Sequence, residues 1–166
     1  FSDYGCVFCK SFWENTLPQL KTEYIETGKA KLVYRDLPLD TECNSVLSRQ
    51  LHPGACKAAE AAECVREKGG DIAYFEYHDI LFENQKAFTE DELKTWAKQI
   101  GQNIDSCLDS GKYSSEVLND IADATAAGGT GTPYFVIIAE DGTTTTISGA
   151  ESFANFKRVL DALLDG

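Results

Sequence analysis

The spacing of apolar positions changes several times along the chain, and each change marks an element. Phe1 to Tyr4 reads as the end of a strand and its following loop. From Val7 to about Thr27, Phe8, Phe12, Leu20, Tyr24 and Ile25 recur at helical spacing, and Pro18 is expected to kink that helix. After Gly28, the run Ala30 to Asp36 carries Leu32, Val33 and Tyr34 and reads as a strand, ended by Leu37-Pro38. From Asp40 to about Ala127 the pattern is helical with short turns. Pro53-Gly54 precedes an Ala-rich helix that stops near Gly69-Gly70, and an aromatic-rich helix spans Ala73 to Asn84. Thr89-x-x-Glu92 is a capping-box pattern for a helix ending near Gly101, and a longer helix runs from Ser114 to about Ala127.

Past Gly128-Gly129 the period falls to two. Strands are predicted at Tyr134 to Ala139 and Thr143 to Ile147, joined by a hairpin turn at Asp141-Gly142. A last helix places Phe153, Phe156, Leu160 and Leu163 on one stripe. The order strand-end, helix, strand, helices, hairpin, helix is that of an α/β thioredoxin fold with an all-helical subdomain inserted in its middle. On this division residues 1–38 and 114–166 build the thioredoxin fold and 39–113 form the insertion. The first central strand is expected to be missing from the chain, which starts where that strand should be ending.

Composition narrows the class. A chain of 166 residues with 43% hydrophobic and 25% charged residues can bury one sizeable core. The net charge of -12 argues against a nucleic-acid groove, which needs clustered Lys and Arg, and is read as a solubility feature. The sequence holds no run of 18 apolar residues and no methionine, so it reads as a processed or truncated piece of a longer protein. Six cysteines point to an oxidising compartment, extracytoplasmic in a periplasm or at a cell surface, with a membrane anchor left open as a segment outside this chain.

The chemistry sits in Cys6-Val7-Phe8-Cys9, two thiols at C-x-x-C spacing where a helix begins. The thiolate is the reactive form, and a helix N-terminus with its unpaired N–H groups and positive dipole end lowers the pKa of Cys6. Cys9, one turn inside, is the resolving thiol. Val7 and Phe8 lie between them and are expected to touch substrate. Thr132-Pro133, just before a strand, reads as a cis turn whose neighbouring backbone can receive an extended peptide. The other four cysteines, Cys43, Cys56, Cys64 and Cys107, are expected to form structural disulfides. Six cysteines allow 15 pairings and sequence alone does not choose; Cys43 with Cys56 and Cys64 with Cys107 are favoured.

Five separated segments resemble the DsbA-like thiol oxidoreductases of bacteria: Phe1-Ser2-Asp3-Tyr4-Gly5-Cys6-Val7-Phe8-Cys9, Tyr34-Arg35-Asp36-Leu37-Pro38-Leu39, His52-Pro53-Gly54-Ala55, Tyr77-His78-Asp79-Ile80-Leu81-Phe82 and Gly129-Thr130-Gly131-Thr132-Pro133. The resemblance spans nearly the whole chain. It implies an exported monomer that introduces disulfides into cysteine-containing exported proteins, needs no cofactor and is recharged by a membrane redox partner. By the same resemblance Cys6 attacks, Cys9 resolves, and Thr132 with cis Pro133 binds substrate.

Other readings compete with it. A reductase or isomerase would use the same site in the opposite direction. In a different class, the two thiolates could hold copper(I) or zinc, although only two histidines and no methionine are available to complete a site. His52 and His78 are weighed as proton carriers or ligands, with packing or surface roles as the default. Trp13, Phe8 and Phe12 are candidates for a peptide groove, with core packing the default for Phe12.

Overall fold

The computed structural model describes residues 1–165. The first helical arm is broken in two: α1 spans Val7–Asn15 and α2 spans Leu17–Leu20, followed by a wider π turn over Lys21–Ile25. The break falls at Thr16, whose φ of -114° leaves the helical range, and Pro18 stands in the first turn of α2. Proline is tolerated there because first-turn N–H groups have no partner within the helix. The predicted kink is thus a restart of the helix.

The segment 30–36 does not form the predicted strand. A single parallel bridge, Ser2 with Asp36, is its only ladder contact among the described residues. Ser2 donates to Arg35 C=O at 2.9 Å and accepts from Leu37 N–H at 2.8 Å. With a ladder this short, the segment is held instead by side chains from the helix Ser114–Ala126. Arg35 donates to Asp120 at 2.5 Å and to Asp123 at 2.6 Å, while Asp36 N–H donates to the second Asp120 oxygen at 2.8 Å.

Phe1 joins the other side. It exchanges two backbone hydrogen bonds with Tyr134, at 2.7 and 2.9 Å, which is the pairing of antiparallel neighbours. The spatial order is therefore the 30–36 segment, Phe1–Ser2, β1 (Tyr134–Ile138) and β2 (Thr144–Ser148). The hairpin register pairs Tyr134 with Ser148 and Ile138 with Thr144, so Ala139 to Thr143 is a five-residue connection. Asp141 still shapes it by accepting from Thr143 N–H at 2.8 Å, and Gly142 takes the left-handed φ of 86°.

The inserted helices are α3 (Ala55–Glu83), α4 (Glu90–Gln99) and α5 (Asp105–Asp109), followed by α6 (Ser114–Ala126). The Ala-rich and aromatic-rich stretches of α3 form one long element that bends at Gly70, whose φ of 69° only glycine adopts readily. The stretch 41–54 is turn and loop, a correction to the helical reading of that segment. Cys43–Cys56 closes this loop, and Cys64–Cys107 ties α3 to α5. Thr89 and Glu92 complete the capping box at the start of α4.

The small side chains of Ala58, Ala61 and Ala62 let α3 lie close to its neighbours, and its aromatic half packs Tyr74, Tyr77 and Phe82 into the main core with Tyr4, Leu93 and Leu108. A separate cluster of Leu20, Tyr24 and Phe156, with Phe12, Phe135 and Phe153, joins the first helical arm and the sheet to α7 (Phe153–Leu164). Tyr24 donates to Asp161 at 2.5 Å across that contact.

In the chain-entropy model the two disulfides contribute about 3 and about 4 kcal/mol for their sequence separations of 13 and 43. Replacing Cys64 and Cys107 together by Ser is expected to lower the unfolding free energy by about 4 kcal/mol, and the Cys43, Cys56 pair by about 3. Urea unfolding followed by circular dichroism checks both the loss and its order.

Candidate active site

Cys6 occupies the N-cap of α1 with an extended backbone, and Cys9 sits in the first turn on the buried face. Both are free thiols. The helix starts here for a local reason. Asp3 turns the chain back on itself, accepting Gly5 N–H on Oδ1 at 2.5 Å, while its own C=O accepts Cys6 N–H at 3.0 Å. Gln85, just past α3, donates to Tyr4 C=O and Cys6 C=O, both at 2.8 Å. The insertion thus holds the turn that carries the first thiol.

The distant Thr132-Pro133 loop meets this turn. The Thr132-Pro133 bond is cis, and the Cys6 thiol donates to Thr132 C=O at 3.3 Å. Pro133 lines a small cavity behind Cys9, together with Ser2, Phe12, Trp13, Tyr34 and His78. Val7 and Phe8, adjacent in the chain and between the two thiols, are 66% and 63% exposed and stand on the open rim.

The two thiols differ in chemistry. The Cys6 pKa falls from 9.0 to about 6, first because the Cys9 thiol hydrogen-bonds the Cys6 thiolate. Burial opposes the shift, and Thr132 and the backbone N–H groups of Cys9 and Phe8 assist it. Cys9 moves the other way, driven up by burial and then by giving its hydrogen bond to Cys6. One thiol is therefore a thiolate at neutral pH, and its partner keeps a proton.

Three further residues meet at this site: Asp3, His52, which is weighed above as a proton carrier, and Gln85. Asp3, buried at 1% exposure, also accepts Leu39 N–H at 2.5 Å and faces His52 Nδ1 at 2.8 Å, both on Oδ2. His52, whose default reading is a packing or surface role, is thereby brought beside the turn that carries Cys6. Gln85 had no signal at all, because an amide that binds two carbonyls looks in sequence like any surface glutamine. His78 does behave as a core residue: burial lowers its pKa, and its ring packs edge-on against Tyr34 and Phe82. Trp13 donates to Asp79 at 2.7 Å and stacks on Phe82, and Phe12 packs between Phe135 and Phe156. Neither belongs to the exposed rim.

A C-x-x-C pair at a helix start, a cis-proline loop against the first thiol and helices inserted between two halves of a small sheet define the thioredoxin class of fold. The chain belongs to the thioredoxin family, whose model matches residues 1–162. Among solved structures, alpha-DsbA1 of Wolbachia pipientis superposes with a TM-score of 0.74 at 23% identity, covering 99% of this chain and 83% of that one. The fold class read from the sequence is borne out by that superposition, and the DsbA-like resemblance by the family match together with the relative that follows. A probable disulfide bond formation protein D of Bacillus cereus is 28% identical over 91 residues, 55% of this chain and 37% of that protein. The Na(+)/H(+) antiporter NhaA 3 of Salinispora tropica is 26% identical over 140 residues, 82% of this chain. The chain spans only 19% of that antiporter's length.

Alkylation separates the two thiols. Iodoacetamide is expected to modify reduced Cys6 with a midpoint near pH 6 and to leave Cys9 untouched up to pH 9, read by mass spectrometry. Because the folded pKa of Cys6 lies below its unfolded value, the unfolded state binds more protons between about pH 6 and 9. The reduced protein should therefore gain stability relative to Cys6→Ser as pH rises from 6 to 8, and lose that advantage as pH falls through 6.

Proposed function

We propose that the protein is a thiol-disulfide oxidoreductase acting as an oxidase, introducing disulfides into exported cysteine-containing proteins. The observation that carries this reading is the split between the thiols, with Cys6 lowered to about 6 and Cys9 raised. A low pKa at the outer thiol stabilises the reduced pair over its disulfide, which makes the disulfide a stronger oxidant.

In the oxidised protein a substrate thiolate attacks Cys6 Sγ. The Cys6–Cys9 bond breaks, its electron pair goes to Cys9 Sγ, and Cys9 takes up a proton. A second substrate thiolate then attacks the substrate sulfur of the mixed disulfide and releases Cys6 as a thiolate, a good leaving group because of its low pKa. Two electrons pass from the substrate dithiol to the cysteine pair, and the substrate leaves as a disulfide. Val7 and Phe8 offer apolar contact to an unfolded chain, and the Thr132-Pro133 loop lies where that chain would run past Cys6.

Location follows from the same chemistry. Two further disulfides, Cys43–Cys56 and Cys64–Cys107, fit an oxidising extracytoplasmic compartment. No helix among the described residues is long and apolar enough to cross a membrane. A membrane redox partner that draws off the electrons completes the cycle. No group of three or more His, Cys, Asp or Glu among the described residues is placed to hold an ion.

A Cys9→Ala variant with Cys6 preloaded as a mixed disulfide should hold reduced, unfolded substrate as a covalent adduct, seen on a non-reducing gel. Absence of any adduct at Cys6 would sink the exchange reading. An equilibrium with glutathione that places the potential at about -270 mV would favour the reductase direction, and one at about -120 mV the oxidase.

A further inference from the structure

Asp3 presents a difficulty for the nucleophile. It is a fully buried carboxylate three residues before Cys6, joined to it through the Asp3 C=O and Cys6 N–H bond, and a negative charge there disfavours a thiolate. Two backbone N–H groups, from Gly5 and Leu39, satisfy its oxygens but bring no charge. The third partner is the one side chain among them that can carry a positive charge, His52.

The fold makes room for His52 in a specific way. A Cβ at Gly5 would lie 2.5 Å from His52 Cβ and 2.9 Å from Cγ, so only glycine between Asp3 and Cys6 lets the imidazole rest on the nucleophile turn. His52 N–H donates to Leu39 C=O at 3.0 Å, and the residue lies inside the loop closed by Cys43–Cys56. The titratable groups that act on His52 are Asp3, Cys6 and Asp40. Asp40 is already engaged with Gln50 at 2.7 Å, Glu42 N–H at 3.0 Å and Cys56 N–H at 3.3 Å.

We propose that His52 is a positioning residue for the exchange site: as an imidazolium it neutralises buried Asp3 and stabilises the Cys6 thiolate, so that the disulfide-closed loop of the insertion sets how strongly the pair oxidises. This rests on the thiol-exchange reading above. The titration behaviour agrees with it: the hydrogen bond that His52 gives to Asp3 raises the His52 pKa against the opposing effect of burial, and the charges of Asp3 and Cys6 add to that rise. The shift is in the direction that favours the imidazolium.

The test uses the whole chain. His52→Gln removes the charge while its amide still offers a hydrogen-bond donor to Asp3. Its Cys6 pKa, read from thiolate absorbance at 240 nm, should rise by about one unit, and its equilibrium with glutathione should move about fivefold towards the protein disulfide at pH 7. Coupling between two sites is reciprocal, so NMR of the unmodified protein should find the His52 pKa about one unit higher with Cys6 as thiolate than with the Cys6–Cys9 disulfide closed. This second arm needs no variant. An unchanged Cys6 pKa and equilibrium in His52→Gln, with or without a loss of stability, would overturn the proposal, as would a His52 titration identical in both redox states. Failure of the unmodified protein to exchange with glutathione at all would strike the function itself, while the NMR arm still reads the coupling.

Discussion

The buried carboxylate of Asp3 is the constraint on which the site depends. Its two oxygens gather Gly5, Leu39 and His52, three points that belong to the turn before Cys6, the stretch that follows the 30–36 segment and the inserted loop. A buried carboxylate without partners would be strongly destabilising, so these three pieces of chain are obliged to meet. Once they do, Cys6 is delivered to the start of α1, and Gln85 closes over its carbonyl from the far side. The first helix can begin there because the extended backbone of Cys6 leaves the N–H groups of Phe8 and Cys9 unpaired and turned towards its sulfur.

The remainder of the molecule keeps that arrangement rigid. The sheet is small, with only Phe1–Ser2 between the 30–36 segment and the hairpin, and it relies on neighbours for support. On one side Asp120 and Asp123 of α6 clamp Arg35 and the backbone of Asp36. On the other, aromatic contacts of Phe12 with Phe135 and Phe156 bind α1 to β1 and α7. The insertion adds the two disulfides and the aromatic half of α3, whose Phe82 touches both Tyr4 and Trp13. Chemistry and scaffold are thus joined through the same few residues around the thiols.

Differences between the sequence pattern and the folded chain have physical causes. Residues 30–36 have the composition of a strand, yet strand pairing needs a neighbour, and among the described residues only Ser2 pairs with the segment. Loop 41–54 carries polar residues at spacings compatible with a helix, but Asp40 binds Glu42 N–H, Cys56 N–H and Gln50, which fixes turns in place of a helical ladder. Gly69-Gly70 bends α3 without ending it, because a kink at Gly70 keeps both halves packed on one core. Local signals were sufficient where the deciding partner lies within a few residues, as at the Thr89 to Glu92 capping box.

By itself the sequence determined the class of protein: a helical block between two halves of a thioredoxin fold, with a C-x-x-C pair at a helix start. Those features are written in periodicity and in the spacing of adjacent residues, which short stretches of chain decide alone. Tertiary structure alone decided which charges surround the reactive thiol. Asp3 and His52 are 49 positions apart, and Cys6 and Thr132 are 126 apart. No local pattern announces such pairs, because the energy that joins them comes from burying a carboxylate and packing a loop, and it exists only after the chain has folded.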